Sequence, residues 1–279
     1  MIQLVSSPIE TYPHWDVKRE DLCAVHEPNA PPFSKIRGVV PHLEKLYRCG
    51  IRFVGYVETS ISMAGWGICW AASVVSKDLR VVLFDPQYKK TPGLLAFHRK
   101  QWAKFSNVEI VPIKAGMAKV NYYICRKKLL EKYGSKAVLL PLGLPVDESI
   151  EGTKKEAVEC VNKYATVVVA VGSGTIAAGI VRAGVPRIKV VGVMCRTGNK
   201  EKKKREIINR ARELGCPLAQ LELVDPGYQY TEAAHIKCPF PSHPFYDKKA
   251  FKWMVENIEK LENPVLFWNI GSMNRRMTI

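Results

Sequence analysis

No stretch of the 279-residue sequence approaches the roughly 18 consecutive apolar residues of a membrane span, so no transmembrane helix is expected. The opening residues 1–13 lack a basic start followed by a long apolar run, so a cleaved leader is not expected and a cytoplasmic location is. No two of the eight cysteines stand at zinc-knuckle spacing, and no metal site is expected. The cysteines read as reduced thiols, with Cys69 and Cys195 set among apolar neighbours as small hydrophobes. Repeats and low-complexity blocks are absent. Acidic residues are scarce, with 26 Asp and Glu against 42 Lys and Arg, a formal charge of +16. The apolar fraction of 47% excludes a disordered chain and suits one large α/β domain or two small ones.

What is present alternates. Apolar, β-branched runs at 51–57, 79–84, 108–113, 137–140, 166–171, 189–194 and 265–268 read as strands. Between them, 62–75, 92–105, 119–133, 150–163, 175–183, 201–214 and 251–261 read as helices. Strand–helix alternation predicts βαβ units and a largely parallel sheet. Ligands then gather where strand ends lead into helix starts. Three loops fit: Glu58–Met63, Gly172–Thr175 and Asn269–Ser272, all rich in Ser, Thr, Asn or Gly. Gly172-Ser173-Gly174-Thr175 follows the most apolar strand and opens a helix, a turn suited to a phosphate through backbone N–H groups and the helix dipole. It is neither a P-loop nor a GxGxxG turn, since no Gly-Lys-Ser/Thr follows and Gly179 stands at the wrong distance.

Near the start stand Lys18-Arg19-Glu20-Asp21 and then Phe33-Ser34-Lys35-Ile36-Arg37-Gly38. Further on come Glu58-Thr59-Ser60-Ile61-Ser62-Met63-Ala64-Gly65, Leu140-Pro141-Leu142-Gly143 and the Gly172–Thr175 turn with Ala178-Gly179. Pro244-Phe245-Tyr246-Asp247-Lys248-Lys249-Ala250 and Val265–Gly271 close the series. Taken in order, these segments resemble the fold-type II enzymes that use pyridoxal 5′-phosphate. The nearest branch is that of aminocyclopropane-carboxylate deaminase and D-cysteine desulfhydrase, and the resemblance runs over nearly the whole chain. It departs from the family at Ser62, which stands where an Asn usually meets the cofactor's 3′-oxygen. It departs again at Asn269–Ser272, in place of His-Thr-Gly-Gly.

The resemblance implies an α/β fold of two lobes, with parallel-rich sheets flanked by helices and the cofactor in the cleft between. Residues 1–49 with 136–279 would form the large lobe, and 50–135 the small inserted one. Lys35 would carry the cofactor as a Schiff base and move the substrate's α-proton. Gly172, Ser173, Gly174 and Thr175 would hold its phosphate, with Ser62 near the ring. Thr59, Ser60 and Ser62 would hold a substrate carboxylate. Asp247 falls where the family pairs an acid with the ring nitrogen; as a plain sequence feature it is also a helix cap. Tyr246 reads as an acid–base phenol or a core aromatic. Tyr228 is the expected second tyrosine of the substrate site, with Tyr230 close by. His235 and His243 read as structural or solvated, and Trp66, Trp70 and Trp268 as packing.

The activity implied is a lyase- or deaminase-like reaction at the alpha carbon of an amino acid: elimination, deamination or decarboxylation. A small free amino acid is the default substrate, and a homodimer without membrane contact the default assembly. The charge of +16 raises a second reading, in which the amino acid is attached to a nucleic-acid base, as in DNA base modification by phages. Basic residues would then border the cleft as a continuous face, with the run Lys200–Arg205 contributing. A third reading, a non-catalytic nucleic-acid-binding relative, has no use for the amine of Lys35.

Overall fold

Thr166–Val171 is buried along its whole length, as a strand covered on both faces must be. It is the seventh of ten strands in the computed structural model, which describes residues 4–90 and 92–273. In chain order the elements are β1 Ile9–Thr11, β2 Asp16–Arg19, α1 Ile36–Arg48, β3 Phe53–Val57, α2 Ala64–Val75 and β4 Arg80–Gln87. There follow α3 Gly93–Trp102, β5 Val108–Lys114, α4 Ala118–Tyr133, β6 Ala137–Leu139, α5 Asp147–Cys160 and β7 Thr166–Val171. The last are α6 Thr175–Arg182, β8 Lys189–Met194, α7 Lys200–Ala211, β9 Gln220–Val224, α8 Asp247–Glu256 and β10 Val265–Asn269. None of the described helices is long and apolar enough to cross a membrane.

The strands form two sheets, one in the order β1-β2-β10-β7-β8-β9 and one in the order β5-β4-β3-β6. Every pairing is parallel except β1 with β2. The parallel-rich α/β architecture expected from the sequence is therefore the one found. The expected break between 135 and 136 needs correction, because β6 pairs with β3 and lies with the smaller sheet. Its backbone is satisfied only there, so residues through 139 belong on that side.

Sheet order brings the loops together. In the larger sheet β7 and β10 are neighbours, so the turns after Val171 and after Asn269 leave the same edge side by side. In the smaller one β3 and β6 are neighbours, so the segments after Val57 and Leu139 do the same. The segment Phe33–Lys35 bridges both sets. Phe33 pairs with Gly271, and Ser34 N–H donates to the Ile270 carbonyl.

The Lys18–Asp21 segment is a buried ion network rather than a surface. Lys18 Nζ meets Glu156 at 2.8 Å, and Arg37 reaches both Glu20 at 3.0 Å and Glu156 at 3.1 Å. Arg19 pairs with Asp21 at 2.9 Å and also with Glu10. Asp21 in turn accepts from Asn269 Nδ2 at 2.8 Å. Charges removed from water must be paired and bonded, and this set ties β2, α1, α5 and β10 into one frame. Arg37 stands two residues beyond Lys35, so the frame fixes the start of α1 and the direction of the Lys35 side chain.

Candidate active site

Lys35 is the last residue before α1 and is partly buried. Its Nζ donates to the Gly143 carbonyl at 2.7 Å and to Ser173 Oγ at 3.1 Å. The same carbonyl accepts from Ser173 Oγ and from Thr175 Oγ1, each at 3.2 Å. Three donors from two chain segments thus converge on one oxygen. Burial, with the positive charge of Arg210 nearby, pulls the Lys35 ammonium down to about 8, against the opposing pull of Asp247. An amine that loses its proton near neutrality is the form that attacks a carbonyl.

The Gly172–Thr175 turn requires glycine for backbone reasons. Gly174, the cap of α6, has φ +84°, and Gly143 has φ +78° with a Cβ position 2.5 Å from Ser173 Cβ. Only a residue without Cβ takes those conformations freely and lets the two loops close. The first turn of α6 leaves N–H groups without intrahelical acceptors, at the positive end of the helix dipole. Arg210 Nη1 donates to the Ser173 carbonyl at 2.6 Å, bringing a second cation to the turn. Sequence reasoning did not single out Arg210. Its signal was its spacing from Ile207 and Ala211, the two buried residues of α7.

Asp247 is buried at the start of α8, and its Oδ1 accepts from Ile270 N–H at 2.8 Å. Burial pushes its carboxyl up to about 8. Tyr246, the residue before it, is stacked close to the phosphate-type turn: a Cβ at Gly172 would stand 3.3 Å from its ring. Its hydroxyl shares a 3.2 Å hydrogen bond with Tyr230, which shares another, at 3.1 Å, with Thr59 Oγ1. Burial, then the neighbouring Tyr230, holds the Tyr246 phenol well above its ordinary range, so it stays protonated.

The expected residues do not all gather. Tyr228 is turned aside, its hydroxyl donating to the Lys249 carbonyl at 3.3 Å, and Tyr230 is the tyrosine that meets Thr59 and Tyr246. Ser60 is buried with its hydroxyl against Tyr88. Ser62 Oγ accepts from Ala64 N–H at 3.1 Å and lies against Tyr56, whose own hydroxyl accepts from Gly143 N–H at 3.2 Å. Glu58, unremarked among the candidates, is buried under the start of α2. Its Oε2 accepts from Thr59 N–H at 3.2 Å, and a Cβ at Gly65 would stand 1.9 Å from its Oε1. Burial pushes this carboxyl up to about 8. His243 is buried beside Tyr246, ring to ring at 4.9 Å, and burial pulls its imidazolium down to about 3. Among the described residues no group of three metal-ligating side chains exists. A cleft of about 390 Å³ between Pro13–Asp16 and Asn263–Val265 lies at the amino ends of β2 and β10, away from these loops.

These residues fit pyridoxal phosphate. The amine of Lys35 suits its aldehyde, the Gly172–Thr175 turn with Arg210 suits its phosphate, and the buried acid Asp247 suits its ring nitrogen.

The comparisons agree. No protein-family model matches the chain. The glycyl-dTMP PLP-dependent decarboxylase of Pseudomonas phage M6 is 35% identical over 95% of this chain and 98% of its own. Among solved structures, a homologue of ACC deaminase superposes with a TM-score of 0.78 at 21% identity, over 98% of this chain and 91% of that one. The O-acetylserine dependent cystathionine beta-synthase of Helicobacter pylori gives 0.64 at 16% identity, over 99% and 96%. The likeness to the phage protein runs end to end, on the fold shared by these enzymes, and so the chain belongs to its family, the pyridoxal-phosphate-dependent enzymes of fold type II.

Proposed function

We propose that the chain decarboxylates a glycyl unit carried on a thymidine nucleotide. The observation that carries this reading is the 35% identity, over nearly the full length of both chains, to a phage protein named for that substrate. When bound, pyridoxal phosphate supplies an electron sink for the pair left at the alpha carbon. Lys35 would hold the cofactor's aldehyde, Gly172–Thr175 its phosphate and Asp247 its ring nitrogen. The cleft between the two sheets would receive the substrate.

Loss of CO2 leaves an alpha carbon that must take up one proton. Tyr246 is a protonated phenol in a hydrogen-bonded pair with Tyr230 and is suited to deliver it. The start of α2 bears on the choice of reaction. In the resembling family this helix start holds the substrate carboxylate. Here Glu58 already takes the Thr59 N–H and lies against Gly65. A carboxylate gripped as tightly in the ground state as in the transition state gains nothing in rate. A weaker grip, from Thr59 and Ser62, suits a group that is to leave.

The test is release of labelled CO2 by the holoenzyme from carboxyl-labelled glycyl-dTMP, with free glycine and free cysteine as competing substrates. Labelled CO2 from the nucleotide and none from glycine is expected. Ammonia or sulfide from the free amino acid, with the nucleotide untouched, overturns the reading.

A further inference from the structure

Helix α4 is the anomaly of the surface. Of its sixteen residues only Cys125 and Leu129 are buried. Its outer side exposes Val120, Tyr123, Ile124 and Leu130, with Met117 just before it; Met117 is 72% and Tyr123 69% exposed. Together with Ile110 on β5 these are most of the large apolar residues that the described surface exposes. A surface patch of this kind marks an interaction site.

Charge and pattern decide what covers it. The helix carries Lys119, Arg126, Lys127, Lys128 and Lys132 against one acid, Glu131. Among the described residues no ion pair holds Lys119, Arg126 or Lys128, and Lys127 meets Glu131 at 3.7 Å with both side chains exposed, a pair that water leaves weak. A second copy of the same helix would set like charges face to face. Basic and apolar side chains are interleaved rather than segregated: Lys119, Tyr123 and Lys127 follow at four-residue steps, and Arg126 and Leu130 do the same beside them. A membrane-surface helix segregates its cations from its apolar side chains, and here the two alternate over the same exposed side. Tyr123, Arg126, Lys127, Leu130 and Glu131 line a shallow cleft of about 490 Å³. A cationic track that also offers an exposed aromatic ring is what a nucleic-acid single strand uses, phosphates on the cations and a base on the ring.

The position is right for the site. Three residues separate β5 from helix α4, which starts at the carboxyl end of the sheet, from which Glu58–Met63 and Leu140–Gly143 also leave. Tyr122, beside Tyr123, packs in the same apolar cluster as Leu142, the neighbour of Gly143. Helix α7 is also basic, but of its residues only Ile207, Ile208 and Ala211 are apolar and it has no aromatic one.

Resting on the proposed function, we infer that α4 is a docking track for a DNA single strand, so that the enzyme takes its target nucleotide within the polymer. Chemistry on a base requires that the base leave the stack. A strand held on Lys119, Tyr123 and Lys127 leads an unstacked base toward the loops around Lys35.

The test is fluorescence anisotropy of a labelled thymine-rich single-stranded oligonucleotide with the holoenzyme across a salt series. Binding is expected to weaken with salt, and a duplex of equal length to bind more weakly. Tyr123→Ala should lose about five-fold or more in affinity, and Tyr123→Phe should restore it. Lys119→Gln with Lys127→Gln should lower the log–log salt slope by about 0.7 for each phosphate contact removed. Thermal midpoints should hold, because these side chains are exposed, and turnover of glycyl-dTMP should be unchanged. The inference is overturned by absence of binding at low salt or by α4 variants that bind as the parent does while Lys202→Gln with Lys204→Gln does not. Capture by anionic vesicles in place of DNA, or a parent dimer that Tyr123→Ala dissociates without any DNA binding, overturns it equally. If binding follows α4 but neither nucleotide nor oligonucleotide loses CO2, the docking track stands and the proposed function fails.

Discussion

Replacing Gly143 by alanine should damage the site more than its size suggests. The backbone there has φ +78°, and an L-residue in that region costs about 1–2 kcal/mol. The new Cβ would stand 2.5 Å from Ser173 Cβ and 3.1 Å from its Oγ, closer than real contacts allow. Forcing the loops apart adds about 1–3 kcal/mol of overpacking. The sum, roughly 2–5 kcal/mol, is a large share of the ~5–15 kcal/mol that holds a domain folded. A built-in control separates the two contributions. Gly50 has φ +89° but nothing within 4 Å of its Cβ position, so Gly50→Ala carries only the backbone cost of about 1–2 kcal/mol. Urea unfolding of both variants gives the difference, which is the crowding at the Lys35 loop. Gly143→Ala should also bind pyridoxal phosphate more weakly, because the carbonyl that receives Lys35, Ser173 and Thr175 moves with the loop. If Gly143→Ala proves no worse than Gly50→Ala in stability, the close approach of the two loops is refuted.

Lys35→Ala should abolish the visible absorption of the bound cofactor and all turnover while changing stability by no more than about 1–3 kcal/mol, since what is lost is two hydrogen bonds and a 5.8 Å approach to the Phe33 ring. Borohydride that still fixes cofactor to this peptide region in the variant would rule Lys35 out. Asp247, with its carboxyl pushed up to about 8, favours the folded apoprotein fully at low pH and loses that contribution as pH rises through 8. That loss runs from about pH 4 to pH 8, so Asp247→Asn should raise the apoprotein's thermal midpoint at pH 9 relative to the parent and much less at pH 4; equal gains at both would sink the buried-acid reading. His98 is the acid counterpart. It is buried in α3 with neither ring nitrogen bonded among the described residues, and burial pulls it down to about 4. Its contribution is full above pH 6.5 and is lost as pH falls through 4, on the order of 3 kcal/mol in all. His98→Leu should flatten the fall in urea midpoint over that range, and an unchanged slope would speak against it.

The sequence revealed most where one physical signal dominated. The run Thr166–Val171 and the turn after it were legible because an all-apolar strand followed by Gly-Ser-Gly-Thr has few other uses. Strand β2 was missed because Asp16-Val17-Lys18-Arg19 looks like surface, and its charges are buried only through partners that the chain supplies far away, at Glu156 and Asn269. Helix α8 begins at Asp247 rather than near 251, because Asp-Lys-Lys suggests a loop while Asp247 and Lys249 are in fact buried. Strand β9 carries a readable alternation, exposed at Gln220 and Glu222 and buried at Leu221 and Leu223, but it is short and lies at an edge. The choice between Tyr228 and Tyr230 could not be read from composition. Lys249 decides it, its ammonium donating to the Gln229 carbonyl at 2.6 Å while its own carbonyl takes the Tyr228 hydroxyl.

The ion network has a consequence for how the molecule is made. The smaller sheet draws on Phe53 to Leu139 without interruption, so it can close while synthesis is still under way. The segment that bears Lys35 cannot. Strand β2 lies between β1 and β10, and Lys18 and Arg37 both need Glu156. Until Val265–Asn269 leaves the ribosome, β2 has an open edge, and such edges invite pairing with other chains. A nascent chain stalled before Val265 would thus hold a finished small lobe beside an unanchored amine. Cofactor capture becomes possible only once Val265–Asn269 has emerged, and a product truncated before it is expected to aggregate rather than to trap pyridoxal phosphate unproductively.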